Sequence, residues 1–435
     1  MLIIPMHPET TLFFKNEHRG IRPDTVAWAP SVPCNDRVFI LTESPSGVRK
    51  HGASDLLVDS VSSIKTLQRI LKNTRTRYLL IASGNRMIQP QPHAVERMIQ
   101  VADMTDAGWV YSDYRQEADG ALEEHPLIDY QLGSLRDDFD FGPLLLIRTK
   151  ALEEAVGKAK DTYRYAGWYY ARLAISRNWP VLRIPEVLYT ATTIDHRSSG
   201  EKVFDYVDPS QRKVQIEMEA VCTEHLEQIH AWLPPVTKEI PVDENEWPVE
   251  ASVVIPVRNR LGTIKEAIRS ALLQQTVFDF NVIVVDNYSD DGTTELLAEW
   301  SEKEKKLIHV IPENRGLGIG GCWNEAVMHP ECGKYAVQLD SDDIYKDETT
   351  LRRILEVFHS ERCAMVVGSY ITTDVSLKEI PPGRVDHREW TPENGHNNAL
   401  RVNGFGAPRA FYTPVLRSIR FPDVSYGEDY AVCLA

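Results

Sequence analysis

Acidic residues stand at the end of two predicted strands in the C-terminal half of the chain. Asp286 follows the apolar run NVIVV, and the run YAVQL at 335–339 leads straight into Asp340, Ser341 and Asp342. A hard divalent cation such as Mg²⁺ or Mn²⁺ takes one or two carboxylates, and substrate phosphates and water complete its shell. An Asp-rich turn by itself more often caps the next helix. Its place at a strand end nevertheless favours a metal and nucleotide site.

A second acidic pair, Glu428 and Asp429, opens the last predicted helix. A carboxylate in such a place can act as a general base, which takes the proton from an attacking hydroxyl group. Acids in the first helical turn are also favoured by the helix dipole. The pair alone therefore leaves a catalytic and a purely structural interpretation open.

The elements around these acids alternate between strand and helix. SVVIPV at 252–257 and LIHVI at 307–311 are typical of buried strands, and helical spacing of apolar residues marks 263–274 and 293–300. This alternation predicts an α/β fold with a doubly wound, mostly parallel sheet. Ligands of such sheets bind at the carboxyl ends of the strands, where the acids stand.

Five segments in order resemble the family 2 glycosyltransferases, which are nucleotide-sugar-dependent enzymes with the A-type glycosyltransferase (Rossmann-like) fold. They are VVIPVRNR at 253–260, VIVVDNYSDDGT at 282–293, NRGLGIGGCWNEA at 314–326, LDSDD at 339–343 and YGEDYAVCLA at 426–435. Each segment is loose by itself, but their order makes the resemblance specific.

The resemblance implies roles for individual residues. Asp429 would be the general base with Glu428 beside it, and Asp342 and Asp340 would hold the metal. The residues implied for nucleotide-sugar binding are Pro256, Val257, Arg258, Asp286, Asn314, Asp340 and Ser341. The donor would be a nucleotide diphosphate-sugar, UDP-linked, and the cofactor Mn²⁺ or Mg²⁺.

The implied reaction is transfer of a hexosyl or N-acetylhexosaminyl group, with inversion, to a hydroxyl of a glycan, lipid-linked or protein acceptor. No second carboxylate for a double displacement is implied. Two departures stand out. Many relatives begin the helix after the glycine segment with Ala-Arg-Asn, whereas this chain has Cys322, Trp323 and Asn324. Arg258 or Arg315 could replace the missing cation. The chain also ends at Ala435, within the last predicted helix, which predicts a truncated domain.

Two rival functions stay open. A nucleotidyltransferase would need a glycine-rich, basic phosphate loop, and PVRNRLG at 256–262 is a poor version of one. A non-catalytic carbohydrate-binding or scaffolding protein is the other alternative.

Composition bounds the class of protein. The chain has 435 residues, 43% hydrophobic, and a formal net charge of −15, which predicts globular domains and argues against binding nucleic acid. No cysteine pair suggests zinc, and no apolar run is long enough for a membrane span. We therefore expect a cytoplasmic protein, while peripheral attachment to a membrane stays open.

A proline-rich, acidic stretch at 231–250 predicts a linker between a domain at 1–230 and a catalytic domain at 251–435. The N-terminal part contains weak repeats of the C-terminal part. The repeats pair RYLLIASGNRMI from Arg77 with KYAVQLDSDDIY from Lys334, DFGPLLLIRTKAL at 140–152 with GFGAPRAFYTPVL at 404–416, and RYAGWYYARLA from Arg164 with SYGEDYAVCLA from Ser425.

The repeats predict two tandem domains of one fold, the first of them degenerate. Ser83, Gly84 and Asn85 stand where the second copy has Asp340, Ser341 and Asp342, and Gly167 and Trp168 stand where it has the acidic pair. We therefore expect the first domain to be non-catalytic. The alternative is a site of its own, built from Asp113 or from Asp137, Asp138 and Asp140.

Overall fold

The computed structural model describes residues 9–16, 21, 23–32, 35–48, 51–83, 86–118, 121–159, 163–193, 212–240, 245–386, 391, 393–402 and 405–435. The chain divides into two compact units, Met1–Trp232 and Leu233–Ala435. Each unit has its own main sheet of parallel and antiparallel strands, with helices between the strands along the chain. The predicted fold class of two tandem α/β domains is therefore confirmed.

The N-terminal unit has nine strands and five α-helices among the described residues. The strands are β1 (Thr10–Lys15), β2 (Asn35–Thr42), β3 (Ala53–Leu57), β4 (Tyr78–Ser83), β5 (Arg86–Pro90), β6 (Trp109–Ala118), β7 (Ala121–His125), β8 (Leu144–Arg148) and β9 (Val181–Thr193). The helices are α1 (Ile64–Asn73), α2 (Ala94–Thr105), α3 (Thr149–Val156), α4 (Gly167–Ser176) and α5 (Arg212–Gln228). Short 3₁₀ turns cover Pro23–Val26 and Ala29–Ser31.

The C-terminal unit has eight strands and seven α-helices in its described part. The strands are β10 (Ala251–Val257), β11 (Phe280–Asp286), β12 (Leu307–Val310), β13 (Tyr335–Gln338), β14 (Met365–Val367), β15 (Tyr370–Thr373), β16 (Glu379–Val385) and β17 (Arg409–Tyr412). The helices are α6 (Ile264–Leu272), α7 (Thr293–Lys303), α8 (Ile319–Met328), α9 (Thr350–Glu361), α10 (Gly395–Asn398), α11 (Thr413–Ile419) and α12 (Glu428–Leu434).

The central strands of the C-terminal sheet are buried on both faces, which explains their continuous apolar sequences. Successive side chains of a strand point to opposite faces. On β10, Val253 and Ile255 pack in one core cluster with α6 and α9, while Val254 packs in the other with α8 and α11. β11 divides in the same way, with Val284 in the first cluster and Val285 in the second.

The two sheets share a strand order. The C-terminal sheet runs β12-β11-β10-β13-β17-β14, and the N-terminal sheet begins β3-β2-β1-β4-β8-β6 before adding β9 and β5. In both, the first four strands are parallel and the fifth, β17 or β8, is antiparallel to its neighbours. The N-terminal unit is therefore built on the same topology.

Equivalent hydrogen bonds occur within each of the two units. Thr413 donates its hydroxyl to the Gly333 carbonyl (2.7 Å) and its N–H to Lys334 (3.0 Å). Thr149 does the same to Thr76 (2.8 Å) and Arg77 (2.9 Å). These contacts agree with the sequence alignment of Thr149 with Thr413 and of Arg77 with Lys334. Gly84, Asn85 and Gly404 of that alignment lie outside the described residues.

The starts of two helices meet at very short range in each unit. The N–H of Gly320, in α8, donates to the Val424 carbonyl (3.0 Å), just as Ile64, in α1, donates to Tyr163 (3.0 Å). A Cβ on Gly320 would overlap the Pro422 carbonyl oxygen and lie 3.1 Å from the Cβ of Glu428.

In the N-terminal unit, the glycine at this close approach stands on the other helix. Ile64 carries a buried side chain there, and the facing first residue of α4 is Gly167. A Cβ on Gly167 would lie 2.5 Å from the Ser62 carbonyl oxygen and 2.7 Å from the Ile64 nitrogen. Each unit therefore has a glycine where these segments approach, Gly320 in α8 and Gly167 in α4, because backbone of the facing segment leaves no room for a Cβ there.

We predict that Gly320→Ala lowers the free energy of unfolding by about 1–3 kcal/mol, the usual cost of overpacking. The methyl group has rigid backbone on one side and the acidic helix on the other. Urea-induced unfolding of the full chain measures the effect. Gly262→Ala is the matched control, since nothing lies within 4 Å of its would-be Cβ. Equal stability of the two variants would contradict the packing argument.

Candidate active site

The turns that follow β10 and β11 are joined by hydrogen bonds into one rim. The N–H of Asn259 donates to Ser289 Oγ (2.9 Å), and Asn259 Oδ1 accepts from the Asp290 N–H (2.8 Å). The Leu261 N–H donates to Asp291 Oδ2 (3.0 Å). The two turns that sequence analysis assigned to the nucleotide therefore hold each other in place.

Asp286 anchors this rim from below. Its carboxylate is fully buried and accepts hydrogen bonds from the Ser289 N–H (3.0 Å) and the Thr294 hydroxyl (2.5 Å), and His309 Nε2 lies 3.5 Å from Oδ2. Burial by itself would raise the pKa of Asp286. The contacts with His309, Thr294 and Ser289 outweigh that effect and lower the pKa to about 2. The nucleobase contact predicted for Asp286 stays a prediction, and holding the turn is a role that sequence analysis missed.

Other residues predicted to bind the nucleotide-sugar lie along the same edge of the sheet. Val257 is buried at the end of β10 and its carbonyl accepts from the Asn287 N–H (2.8 Å), whereas Arg258, the next residue, is exposed. Pro256 is half-buried. Asn314 is exposed, and its Oδ1 accepts from the Gly316 N–H (2.9 Å) within its own turn.

The Asp-Ser-Asp turn follows β13. Asp340 is half-buried and accepts a hydrogen bond from Gln338 Nε2 (2.7 Å), while Ser341 is buried. Asp342 is exposed, and its Oδ2 lies 3.7 Å from Arg260 Nε. Burial raises the pKa of Asp340, and the charges of Asp342 and Asp429 add to this. Gln338 and Arg409 oppose the shift without cancelling it.

The acidic pair at the start of α12 divides into a buried and an accessible residue. Glu428 is 8% exposed, and its Oε2 has no hydrogen-bond partner among the described residues. Burial raises the pKa of Glu428. The side chain of Asp429 is 33% exposed, and its Oδ2 lies 2.6 Å from Arg409 Nη1. Asp429 is therefore the more accessible member of the pair.

Sequence analysis missed Arg409 and Gln338. The Arg409 side chain is only 12% exposed, and its backbone N–H donates to Gln338 Oε1 (3.2 Å). The available signal was a cation in an otherwise apolar strand, RAFY, which is uncommon unless the charge is paired. Through these two residues, the turn after β13 and the start of α12 come together around one guanidinium group.

The glycine segment before α8 holds the loop that leads to the acidic pair. The Gly318 N–H donates to Asp423 Oδ1 (2.8 Å), and Asn324 exchanges two hydrogen bonds with the backbone of Phe421. Trp323, which stands where many relatives have arginine, is buried and stacks on Phe421 at 5.0 Å. The departure at Trp323 is therefore accommodated as core packing.

Exposed arginines at the same edge of the sheet could contact a diphosphate instead of the arginine that Trp323 replaces. Arg258 and Arg315 are both exposed, and the Arg315 guanidinium lies 4.6 Å from the centre of the Tyr288 ring. Compensation by either of them stays a prediction.

The donor set suits a cation that is completed by its substrate. In the described part of the chain, no group of three or more His, Cys, Asp or Glu side chains is placed to hold a metal ion. Asp340 and Asp342 supply two carboxylates, which is the number that Mg²⁺ and similar ions take when phosphate oxygens and water fill the other positions. The residues present therefore fit a shared site and not a closed protein cage.

The equivalent place in the N-terminal unit is filled by an indole ring. Trp168, at the position of Asp429, donates its Nε1–H to the Val61 carbonyl (3.1 Å), and Lys15 Nζ lies 5.3 Å from the centre of the ring. Gly167 precedes it and Ser83 ends β4. Among the described residues there, neither position of the acidic pair retains a carboxylate.

The acids that could form a separate site in the N-terminal unit make ion pairs and hydrogen bonds within that unit. Asp113 forms an ion pair with Arg183 (2.6 Å) and accepts from the Leu127 N–H. Asp138 pairs with Arg136 (2.7 Å), and Asp140 lies 3.0 Å from His125. Asp137 also has interactions of its own. These contacts favour structural roles for the cluster.

We predict that Asp286→Asn lowers the free energy of unfolding at pH 7 by about 2 kcal/mol, because the folded-state pKa of about 2 lies below the ordinary value of 3.8. A depressed pKa stabilises the fold above the unfolded-state value, and that stabilisation is lost as the pH falls through the folded-state value. The difference between wild type and variant should therefore narrow from about pH 4 towards pH 2.

Urea unfolding at several pH values measures this dependence. Asp290→Asn is the matched control, because that residue is exposed and uses only its backbone N–H in the rim. A difference that does not depend on pH would rule out the charge of Asp286 as the cause.

A family model described as Glycosyl transferase family 2 matches residues 252–422. The putative teichuronic acid biosynthesis glycosyltransferase TuaG of Bacillus subtilis is 32% identical over 124 residues, which are 28% of this chain and 48% of that protein. The poly(ribitol-phosphate) beta-glucosyltransferase of Bacillus spizizenii is 31% identical over 106 residues, which are 24% of this chain and 16% of that protein. The chain thus spans at most about half the length of these relatives.

Solved structures show a weaker likeness. S. aureus TarS 1-349 in complex with UDP-GlcNAc has a TM-score of 0.33 and 21% identity, covering 42% of this chain and 53% of that one. The mannosyltransferase PcManGT from Pyrobaculum calidifontis has a TM-score of 0.31 and 16% identity, covering 53% of this chain and 62% of that one. Because these TM-scores are below 0.5, the assignment rests on the family model and the sequence relatives. Residues 252–422 of this chain form a glycosyl transferase family 2 domain.

Proposed function

We propose that the protein transfers a sugar from a nucleotide diphosphate-sugar, UDP-linked, to a hydroxyl group of an acceptor. The observation that carries the proposal is the meeting of two acidic segments at one edge of the sheet. Arg409 is ion-paired at 2.6 Å with Asp429, at the start of α12, and its charge also acts on Asp340, after β13. Asp342, in the same turn, acts on Asp340 as well. The rim of turns after β10 and β11 stands at the same edge of the sheet.

The donor half of the reaction falls to the rim and the Asp-Ser-Asp turn. Asp340 and Asp342 would hold Mg²⁺ or Mn²⁺ against the diphosphate, and the bound ion would supply neutralisation of the charge that develops there. The main chain at 256–258 would hold the nucleotide, together with Asn314 and Ser341, which the sequence motifs assign to the same task. Arg258, Arg260 and Arg315 are the cations available to the phosphates.

The acceptor half falls to Asp429. Its carboxylate would take the proton of the acceptor hydroxyl while the oxygen forms a bond to the anomeric carbon and the bond to the diphosphate breaks. One displacement of this kind inverts the anomeric carbon. Glu428 is too buried to reach the acceptor, and we assign it to the packing and charge of the site.

The acceptor is the least constrained part of the proposal. TuaG is named for teichuronic acid biosynthesis, and the Bacillus spizizenii relative is named as a poly(ribitol-phosphate) glucosyltransferase. These names favour a glycan or glycopolymer acceptor and a hexosyl or N-acetylhexosaminyl donor over a protein acceptor.

We assign the N-terminal unit a non-catalytic role, with residues 1–230 as a degenerate domain, 231–250 as a linker and 251–435 as the catalytic domain. The indole of Trp168 stands where a general base would be needed, and it supports this assignment. Of the helices that the structure describes, none combines the length and the apolar character needed to cross a bilayer. A cytoplasmic location is part of the proposal, and the thiols described as free are consistent with it.

We expect Asp342→Ala to weaken Mn²⁺-dependent binding of UDP-sugars at least about 10-fold, because it removes a metal ligand. Asp342 is exposed, and its ion pair among the described residues is the 3.7 Å contact with Arg260, so the variant should fold normally. Calorimetric titration with a panel of UDP-sugars, with and without Mn²⁺, measures the change. Asp279→Ala is the control, because Asp279 is an exposed acid at the opposite end of β11. If the wild type bound UDP-sugars equally well without Mn²⁺, the assignment of Asp342 as a metal ligand would be wrong.

We expect Asp429→Asn to reduce turnover by about 10²–10⁴-fold, the range for loss of a general base, while donor binding stays within a few-fold of wild type. Release of UDP from the donor measures turnover, and titration measures binding. Glu325→Gln, an exposed acid on α8, is the control. A variant that keeps wild-type turnover would exclude Asp429 as the base. Failure of every UDP-sugar to bind the wild type would favour the non-catalytic carbohydrate-binding alternative.

A further inference from the structure

We infer that Arg409 is a positioning residue, which with Gln338 holds the general base at a fixed place relative to the metal-binding turn. The inference rests on the proposed function, because it assigns a task to groups within the same site. It concerns two residues that the sequence motifs of the site do not contain.

The geometry forms a continuous chain of contacts from one acid to the other. Asp340 Oδ1 accepts from Gln338 Nε2 (2.7 Å), and Gln338 Oε1 accepts from the Arg409 N–H (3.2 Å). The guanidinium group of Arg409 then reaches Asp429 Oδ2 at 2.6 Å and also donates to the Phe405 carbonyl. Both ends of the Gln338 amide are used, so its orientation is determined by its partners.

Burial makes this chain stiff. Gln338 is 3% exposed, and its backbone carbonyl accepts a hydrogen bond from the Tyr345 hydroxyl (3.1 Å). The Arg409 side chain is 12% exposed, and β17 holds its backbone antiparallel between β13 and β14. Movement of Asp429 relative to Asp340 would therefore break hydrogen bonds in places that water reaches poorly.

The charges explain why an arginine is needed here. The charges of Asp342 and Asp429 act on Asp340, and those of Asp340 and Asp429 act on Glu428. Arg409 is the cation that acts on both Asp340 and Glu428 while it contacts Asp429 directly. One nitrogen of Arg409, Nη1, serves both the Phe405 carbonyl and the Asp429 carboxylate. The rigid plane of the guanidinium group fixes the directions of its donors, whereas a lysine ammonium is a point charge on a flexible stem.

The Asp429 carboxylate is left with one orientation. Its Oδ1 accepts from the Tyr430 N–H in its own helix (2.7 Å), and its Oδ2 faces Arg409. Without Arg409, the side chain would keep its place in the helix but lose the contact that aims it. Arg409 thus acts on the reaction through Asp429 and does not itself touch the substrate in this assignment.

The test compares Arg409→Ala and Arg409→Lys with wild type in the full chain, with UDP-glucose and UDP-N-acetylglucosamine as donors, Mn²⁺ as the metal and water as the acceptor. We expect UDP release by Arg409→Ala to fall about 100-fold or more, while the donor KM changes less than about 3-fold. Added guanidinium ion should restore part of the lost turnover. Arg409→Lys should lie between the two and should not respond to guanidinium.

Arg417→Ala is the matched control. Arg417 is a half-buried arginine of the same unit whose guanidinium donates to the Val327 carbonyl and packs on Trp247, away from the acids. Its turnover should be close to wild type and insensitive to guanidinium. Gln338→Leu breaks the middle of the chain and should lower turnover with the same sparing of donor KM.

The outcomes separate the two levels of the argument. If wild type releases UDP and Arg409→Ala keeps its turnover, the positioning role is wrong and the proposed function stands. Loss of turnover without any guanidinium rescue, together with an equal loss of donor binding, would show a merely structural arginine and also overturn the inference. If wild type neither binds nor cleaves any donor, the proposed function fails first and the inference fails with it.

Discussion

The approach of two helix starts is the constraint on which the site depends. Where α8 meets the segment leading into α12, the backbones come so close that position 320 has no room for a side chain. A Cβ on Gly320 would also lie 3.1 Å from the Cβ of Glu428, so the acidic start of α12 packs directly against this glycine. Gly167 gives way in the N-terminal unit, and a side chain stands instead on α1 at Ile64. A glycine far away in the sequence thus sets how closely the segment that carries the acids approaches α8.

Once the acids are gathered, their mutual repulsion becomes the next problem. Burial raises the pKa of both Asp340 and Glu428, and neighbouring acids add to the effect. Arg409 offsets part of this repulsion from inside, and Arg260 lies beside the exposed Asp342. Asp342 is the exposed acid of the Asp-Ser-Asp turn, and a divalent cation bound there would offset the remaining negative charge. The electrostatics of the protein and the chemistry proposed for it therefore agree.

Sequence patterns predicted most of the frame and part of the site. Apolar strand runs and helical spacing placed β10, β11, α6 and α7, because burial on both faces leaves a direct trace in the sequence. Ordered motifs named the acids, because the residue types that do chemistry are few. Arg409 and Gln338 escaped because their importance comes from pairing between β13 and β17, which are far apart in the chain. The buried state of Asp286 escaped for a similar reason, since His309 belongs to a separate strand.

The two units show how a fold can keep its frame while the residues at one edge of the sheet differ. The hydrogen bonds that recur, from Thr413 to the 333–334 backbone and from Thr149 to the 76–77 backbone, lie where β13 and β4 begin. The residues that differ, Asp429 against Trp168 and Glu428 against Gly167, lie at the opposite edge of each sheet, where the strands end. Filling that edge with an indole that donates to the Val61 carbonyl replaces charged groups by packing and a satisfied hydrogen bond. Such an exchange removes charge repulsion and leaves the frame intact, so stability itself gives no reason to retain the acids. Their presence in the C-terminal unit is therefore best explained by the reaction they are proposed to perform.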